Sequence, residues 1–159
     1  MPQQQAFEPG ALLRVDLDEQ WHSYARMLAR PSMIAFYDGR ASTPVTDADD
    51  IVRREVLFVL DVHDTAYESG RWPKVGLVPL DVSPLPIPDQ YLRSLGSDQY
   101  RIVDEFFNVR PATASECVGL ERVAAWSAEQ AEQRLRDHFA GRPNADAERM
   151  KVRPGPQFG

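Results

Sequence analysis

Asp61 and His63 stand two residues apart at the end of the apolar run "EVLFVLDVHD", and Asp64 follows at once. If that run is a strand, side chains alternate between its faces, and Asp61 and His63 share one. A carboxylate beside an imidazole is the minimum for a general base with its orienting acid, or for two ligands of a metal whose bound water attacks phosphorus. A metal site generally needs three or four protein ligands, and the other histidines, His22 and His138, sit in contexts that suggest no shared cluster. Only carboxylates could complete the set. The competing reading is structural: a strand end at Asp61 and His63, with Asp64 as the N-cap of the turn that follows.

Other chemistries find less support. Cys117 is the single cysteine, so neither an intramolecular disulfide nor a cysteine-cluster metal site is available. With no local partner to mark it as a nucleophile, it is expected to be a small, semi-buried apolar residue. The chain has no G-x-S-x-G, no P-loop and no G-x-G-x-x-G. Its aromatics, among them Trp21, Tyr24, Phe36, Tyr37, Phe58, Trp72, Phe106, Phe107 and Trp126, lack the dense basic interleaving of a nucleic-acid stacking platform and are expected in the core. No cofactor and no bound metal are expected.

Charge points toward binding. Of a formal net charge of -6 over 159 residues, most comes from Val45 to Gly70, where Asp47, Asp49, Asp50, Glu55, Asp61, Asp64 and Glu68 face only Arg53 and Arg54. Such a stretch opposes nucleic-acid phosphates and suits a basic protein partner, whose complementary field speeds encounter. The plainer alternative is acidity that serves solubility alone. The opening "MPQQQAFEPG" lacks a basic region followed by an apolar run, and no segment approaches a membrane-spanning length, so the expected location is the cytoplasm.

The elements that must position these residues follow from pattern. "ALLRVDL" and the run from Trp21 to Leu28 predict a hairpin turning at "DEQ", and "MIAFYDGR" predicts a third strand. "ASTPVTDADD" reads as a polar loop without a core element, and "IVRREVLFVLDV", apolar on both faces, as a central strand. "HDTAYESG" predicts one helical turn stopped by Gly70, "RWPKVGLVPL" a bent edge strand, and "DVSPLPIPDQ" an extended linker. "YRIVDEFFNV" supplies one more strand. Ser127 with Gln130 three residues on is a capping box, and Ala131, Leu135, His138 and Phe139 share a helical face that Gly141 closes. The sum is an α+β domain over residues 1–141: a mostly antiparallel, strongly bent or partly closed sheet with one long C-terminal helix packed on it. Residues 142–159, without apolar periodicity, are expected to form a loosely structured tail.

The order of the pieces "WHSYARML", "AFYDG", "EVLFVLDV", "SGRWPKVGLVPL" and "GLERVAAWSAEQAEQRLRDHF" resembles the immunity protein 26 family of bacterial polymorphic toxin systems, over about Phe7 to Gly141. The resemblance implies a small, non-catalytic cytoplasmic antidote that binds a cognate toxin domain, such as a basic nuclease, with no direct nucleic-acid or membrane contact. Toxin and antidote of such systems are usually encoded side by side. The family label is also attached to a predicted small phosphotriesterase, which keeps a metal-assisted hydrolase using Asp61 and His63 as the alternative. The matching positions are Tyr24, Ala25 and Arg26, then Gly70, Trp72, Gly76 and Leu77, then Gly119, Leu120 and Glu121. Most suit turns or buried packing. Glu121 is the charged exception, expected either to pair with Arg26 or Arg122 or to contact a partner alongside Asp47, Asp49, Asp50, Asp64 and Glu68.

Overall fold

Hydrophobic alternation builds the N-terminal half. The computed structural model describes residues 4–96 and 98–154. Strands β1 (Ala11–Asp16), β2 (His22–Met27), β3 (Met33–Tyr37) and β4 (Val56–Val62) form an antiparallel meander. β5 (Lys74–Leu77) adds an edge beside β1, and the two-residue β10 (Ala125–Trp126) adds the other edge, parallel to β4. A second sheet has the order β8 (Val109–Ala112), β7 (Tyr100–Val103), β6 (Gln90–Arg93), β9 (Glu121–Arg122), and β9 runs parallel to β6. The α+β class stands, with two mixed open sheets in place of one bent, mostly antiparallel sheet. The short parallel edges arise because the chain returns to both sheets between Glu121 and Trp126.

The first sheet is apolar on both faces. Leu13, Ile34, Phe36 and Leu60 point one way, where α2 (Thr65–Glu68), Trp72 and α3 (Ala128–Phe139) cover them. Leu12, Tyr24, Tyr37, Met33 and Val59 point the other way. There the cover is α1 (Ala48–Val52) together with Val78, Leu80, Leu85 and Ile87. The proline-rich stretch is therefore a packed strap rather than a linker, since its apolar residues have a bare sheet face to bury. Gly10 permits its close approach: with φ of +90°, a Cβ there would lie 2.6 Å from the Val78 carbonyl oxygen. The fully buried Arg26 reaches from β2 to donate to the carbonyls of Val78 (2.5 Å) and Pro79 (3.2 Å). A guanidinium cannot be neutralised there, so these bonds fix where the strap lies.

Other elements depart from the expected pattern for local reasons. Asp47 accepts from the Asp49 N–H (3.0 Å) and starts α1, whose Ile51 is buried, so a core element does occur here and β4 begins only at Val56. "YRIVDEFFNV" is split into β7 and the start of β8 by a turn at Asp104, which leaves Phe106 and Phe107 exposed rather than in the core. The Ser127–Gln130 capping box is present, and α3 is the longest helix among the described residues. Its buried face runs through Ala131, Glu132 and Leu135, while His138 is turned outward to Asp38. A loose tail does not describe 145–150, which form α4 (Ala145–Met150) capped by Asn144 and packed on the core through Ala147 and Met150. Residues 155–159 of that expected tail lie outside the described residues.

One buried acid ties α3 to the sheet. Glu132, only 4% exposed, accepts from Trp72 Nε1 (2.9 Å) and from Arg71 Nε (2.8 Å) and Nη2 (2.7 Å). Truncation to Ala strands a buried indole N–H and leaves Arg71, which is partly solvated, without its bidentate partner. Glu132→Ala is expected to lower unfolding free energy by about 2–3 kcal/mol and Glu132→Gln by about half as much, read from chemical denaturation.

Candidate functional site

The strand end places Asp61 and His63 in different surroundings. Asp61 lies in β4 on the same side as Val59, half-buried, and His63 is exposed just past the strand, its N–H bonded to the Trp126 carbonyl (2.9 Å). Among the described residues no three of His, Cys, Asp or Glu come together in a way that could hold a metal. The pair thus lacks the donors that a phosphotriesterase-type metal would need. His22 faces Tyr24 Oη at 2.9 Å and His138 faces Asp38, each far in the fold from His63's strand end. Asp64 occupies the position before α2 but does not cap it. Its backbone is already helical, with φ of -59° and ψ of -27°, whereas a capping side chain reaches the free N–H groups from an extended backbone. Cys117 is buried in the second sheet's small core, and burial pushes its thiol up, which suits an unreactive packing residue.

The acidic stretch is divided by the sheet. Asp47, Asp49 and Asp50 are exposed on and around α1, on the strap side. Asp64 is exposed and Glu68 half-buried at α2, which packs on the opposite side through Ala66 and Tyr67. Charge contiguous in sequence therefore forms two surfaces, and the three aspartates of α1 are the denser one. Sequence reasoning had no means of seeing the division, because it depends on which sheet face each short helix covers.

Glu121 lies somewhere different again. It lines a cavity of about 790 Å³ between β4, the end of the strap, the Val118–Glu121 segment and residues 148–154. Its partner is Arg134 of α3 rather than Arg26, which bonds the strap, or Arg122. The Arg134 guanidinium stacks over Phe58 (4.1 Å to the ring centre) and lies 5.2 Å from the Trp126 ring centre. The walls are mostly apolar, from Val56, Phe58, Leu85, Leu120 and Val152, with Glu148 and Lys151 at the C-terminal side. Arg134 went unnoticed in the sequence, although its spacing from Ala131 and Leu135 places it beside the buried helix face.

A family model described as Immunity protein 26 matches residues 8–101. The chain belongs to the immunity protein 26 family. No curated protein and no solved structure gives a significant match. The segment that matches the immunity protein 26 model holds β1 to β6 and the first residues of β7, with both sheet-edge returns and α3 beyond it. Tyr24, Arg26 and Trp72 fall inside it and are buried structural residues, and Gly76 lies beside Leu12 and Ala48 where α1 meets β5. Gly119, Leu120 and Glu121 fall outside it.

Burial raises the Asp61 carboxyl above its ordinary value, against the opposing pull of Arg30 and His63. The native state therefore holds its proton to higher pH than the unfolded chain, and ionisation costs stability as pH rises above the ordinary aspartate value of 3.8. Asp61→Asn should match or exceed wild-type stability at pH 7, and the difference should shrink as pH falls toward 3.8 and below. Denaturation midpoints measured across pH 3 to 7 for both proteins check this.

Proposed function

We propose that the protein is an antidote that binds a cognate toxin domain and neutralises it by occupying its working surface, without chemistry of its own. The family match over residues 8–101 carries this reading. Its support from the molecule is that most of the residues carrying the resemblance inside that segment, Tyr24, Ala25, Arg26 and Trp72 among them, are buried packing, while among the described residues no third metal-ligating side chain joins the strand-end Asp61–His63 pair. Such an antidote works in the cytoplasm of the cell that makes the toxin. A basic toxin, for instance a nuclease that grips phosphates, suits the acidic surface at α1. Asp47, Asp49 and Asp50 are then rim charges that steer encounter, with Asp64 and Glu68 as a second acidic contact and Glu121 as a contact at the cavity.

Charges at a rim act mainly on association. Replacing Asp47, Asp49 and Asp50 together with Asn keeps the fold, because Asn caps a helix as well as Asp does. Association with the toxin encoded by the neighbouring reading frame should slow by about 3- to 10-fold at low salt, with a shallower salt dependence and little change in dissociation. Stopped-flow or surface-capture kinetics over a salt series provide the readout. Equal rates and equal salt slopes would reduce the α1 aspartates to solvated surface.

A further inference from the structure

The turn between β7 and β8 holds two aromatic rings out in water. Phe106 is 75% exposed and Phe107 65% exposed, although both are among the most apolar residues of the chain. The turn is not loose. Asp104 Oδ1 accepts from the N–H groups of Phe106 and Asn108 (2.9 Å each), and Asp104 Oδ2 accepts from Asn108 Nδ2 (3.1 Å). The backbone closes the same turn twice, from the Phe107 N–H to the Asp104 carbonyl (3.1 Å) and from the Asp104 N–H to the Asn108 carbonyl (3.0 Å). Phe107 sits at φ of +67°, a left-handed conformation that glycine or asparagine adopts with far less strain than a bulky side chain. One face of its ring is backed by the Arg30 guanidinium, 3.8 Å from the ring centre, and Arg30 is itself bonded to Gln90 Oε1 (3.4 Å). Both an unfavourable backbone angle and unfavourable hydration are thus retained to hold the pair outward.

We infer that Phe106 and Phe107 are the anchor of the toxin interface, a rigid aromatic knob that enters an apolar pocket on a basic protein surface. The inference rests on the antidote reading above and adds the contact that holds the complex together. Aromatic side chains locked before binding lose little freedom on docking, and such residues dominate the energy of protein interfaces. The flanking acids select the occupant. Asp104 and Glu105 border the rings directly. Burial pushes the Asp104 carboxyl up, but its hydrogen bonds from Asn108 and the Phe106 N–H outweigh this and hold it below the usual carboxylate range. With Asp104 and Glu105 beside the rings against the single Arg30 guanidinium on Phe107, the tip keeps a negative excess that disfavours anionic lipid and nucleic-acid phosphates and favours a pocket rimmed by Lys or Arg. A symmetric contact between two copies would bring the same acids against each other. The tip also lies beyond residue 101, where the family match ends, so the shared scaffold does not account for it.

The test uses the full chain and the purified toxin domain from the neighbouring reading frame. A Phe106→Ser/Phe107→Asn variant relieves the backbone angle and should fold at least as well as wild type, as circular dichroism and thermal melting will show. It should lose affinity by about 100-fold or more, almost entirely through faster dissociation, with the salt slope of association unchanged. Wild-type binding that the variant reproduces within about twofold overturns the anchor while leaving the antidote reading intact. No binding by wild type overturns the antidote reading and the anchor with it. Two further measurements compare wild type with the variant: co-sedimentation with phosphatidylglycerol vesicles, and mass by light scattering. Lipid binding or dimerisation that disappears in the variant, with toxin binding unaffected, would reassign the knob and overturn the proposal.

Discussion

A sheet that is apolar on both faces must be covered twice, and the rest of this molecule is arranged around that requirement. Every residue of β2 and β3 is buried, so neither face can be left to water. On each face one cover is tied down by a buried ionic side chain. Glu132 fastens α3 through Trp72 and Arg71, and Arg26 fastens the strap through two backbone carbonyls. The two anchors differ in kind. Glu132 is matched by a cation, whereas the bonds of Arg26 go to carbonyl dipoles, which fix a direction without cancelling its charge.

What could be seen in the sequence was what neighbours in the chain decide. The β1–β2 hairpin, β3, the Gly70 stop and the Ser127–Gln130 cap are all set within a few residues, and each is found. The second sheet, the packed strap and the Glu121–Arg134 pair depend on contacts between distant segments, on which periodicity is silent. Phe106 and Phe107 show how a strand-like composition misleads. The spacing of Asp104 and Asn108 around them marks a side-chain-closed turn, and turn chemistry outweighed the preference of aromatics for strands. For the candidate site, the sequence identified the charged residues but not the surfaces they occupy. Asp47 and Glu68 are 21 positions apart in the chain and are separated in space by the thickness of a sheet and its covers.

The residues proposed to meet a partner are distributed accordingly. The α1 aspartates lie over the strap side, Asp64 and Glu68 over the other, and the aromatic turn projects from the second sheet. On the proposed antidote reading, the densest charge and the exposed rings lie on different elements, so the speed of capture and the lifetime of a complex could be altered by separate substitutions. The interior that holds these elements in place is common to all of them.

Both sheets take an edge strand from the same six-residue stretch, β9 at Glu121–Arg122 and β10 at Ala125–Trp126, and α3 follows directly. On the ribosome, a chain that has emerged only as far as Leu120 has neither sheet complete, and the face carrying Leu13, Phe36 and Leu60 has α2 and Trp72 over it but not α3. Folding competence therefore arrives late in translation and nearly all at once, rather than growing with chain length. A chain that stops before Glu121 is expected to expose apolar sheet surface that the whole chain covers with α3.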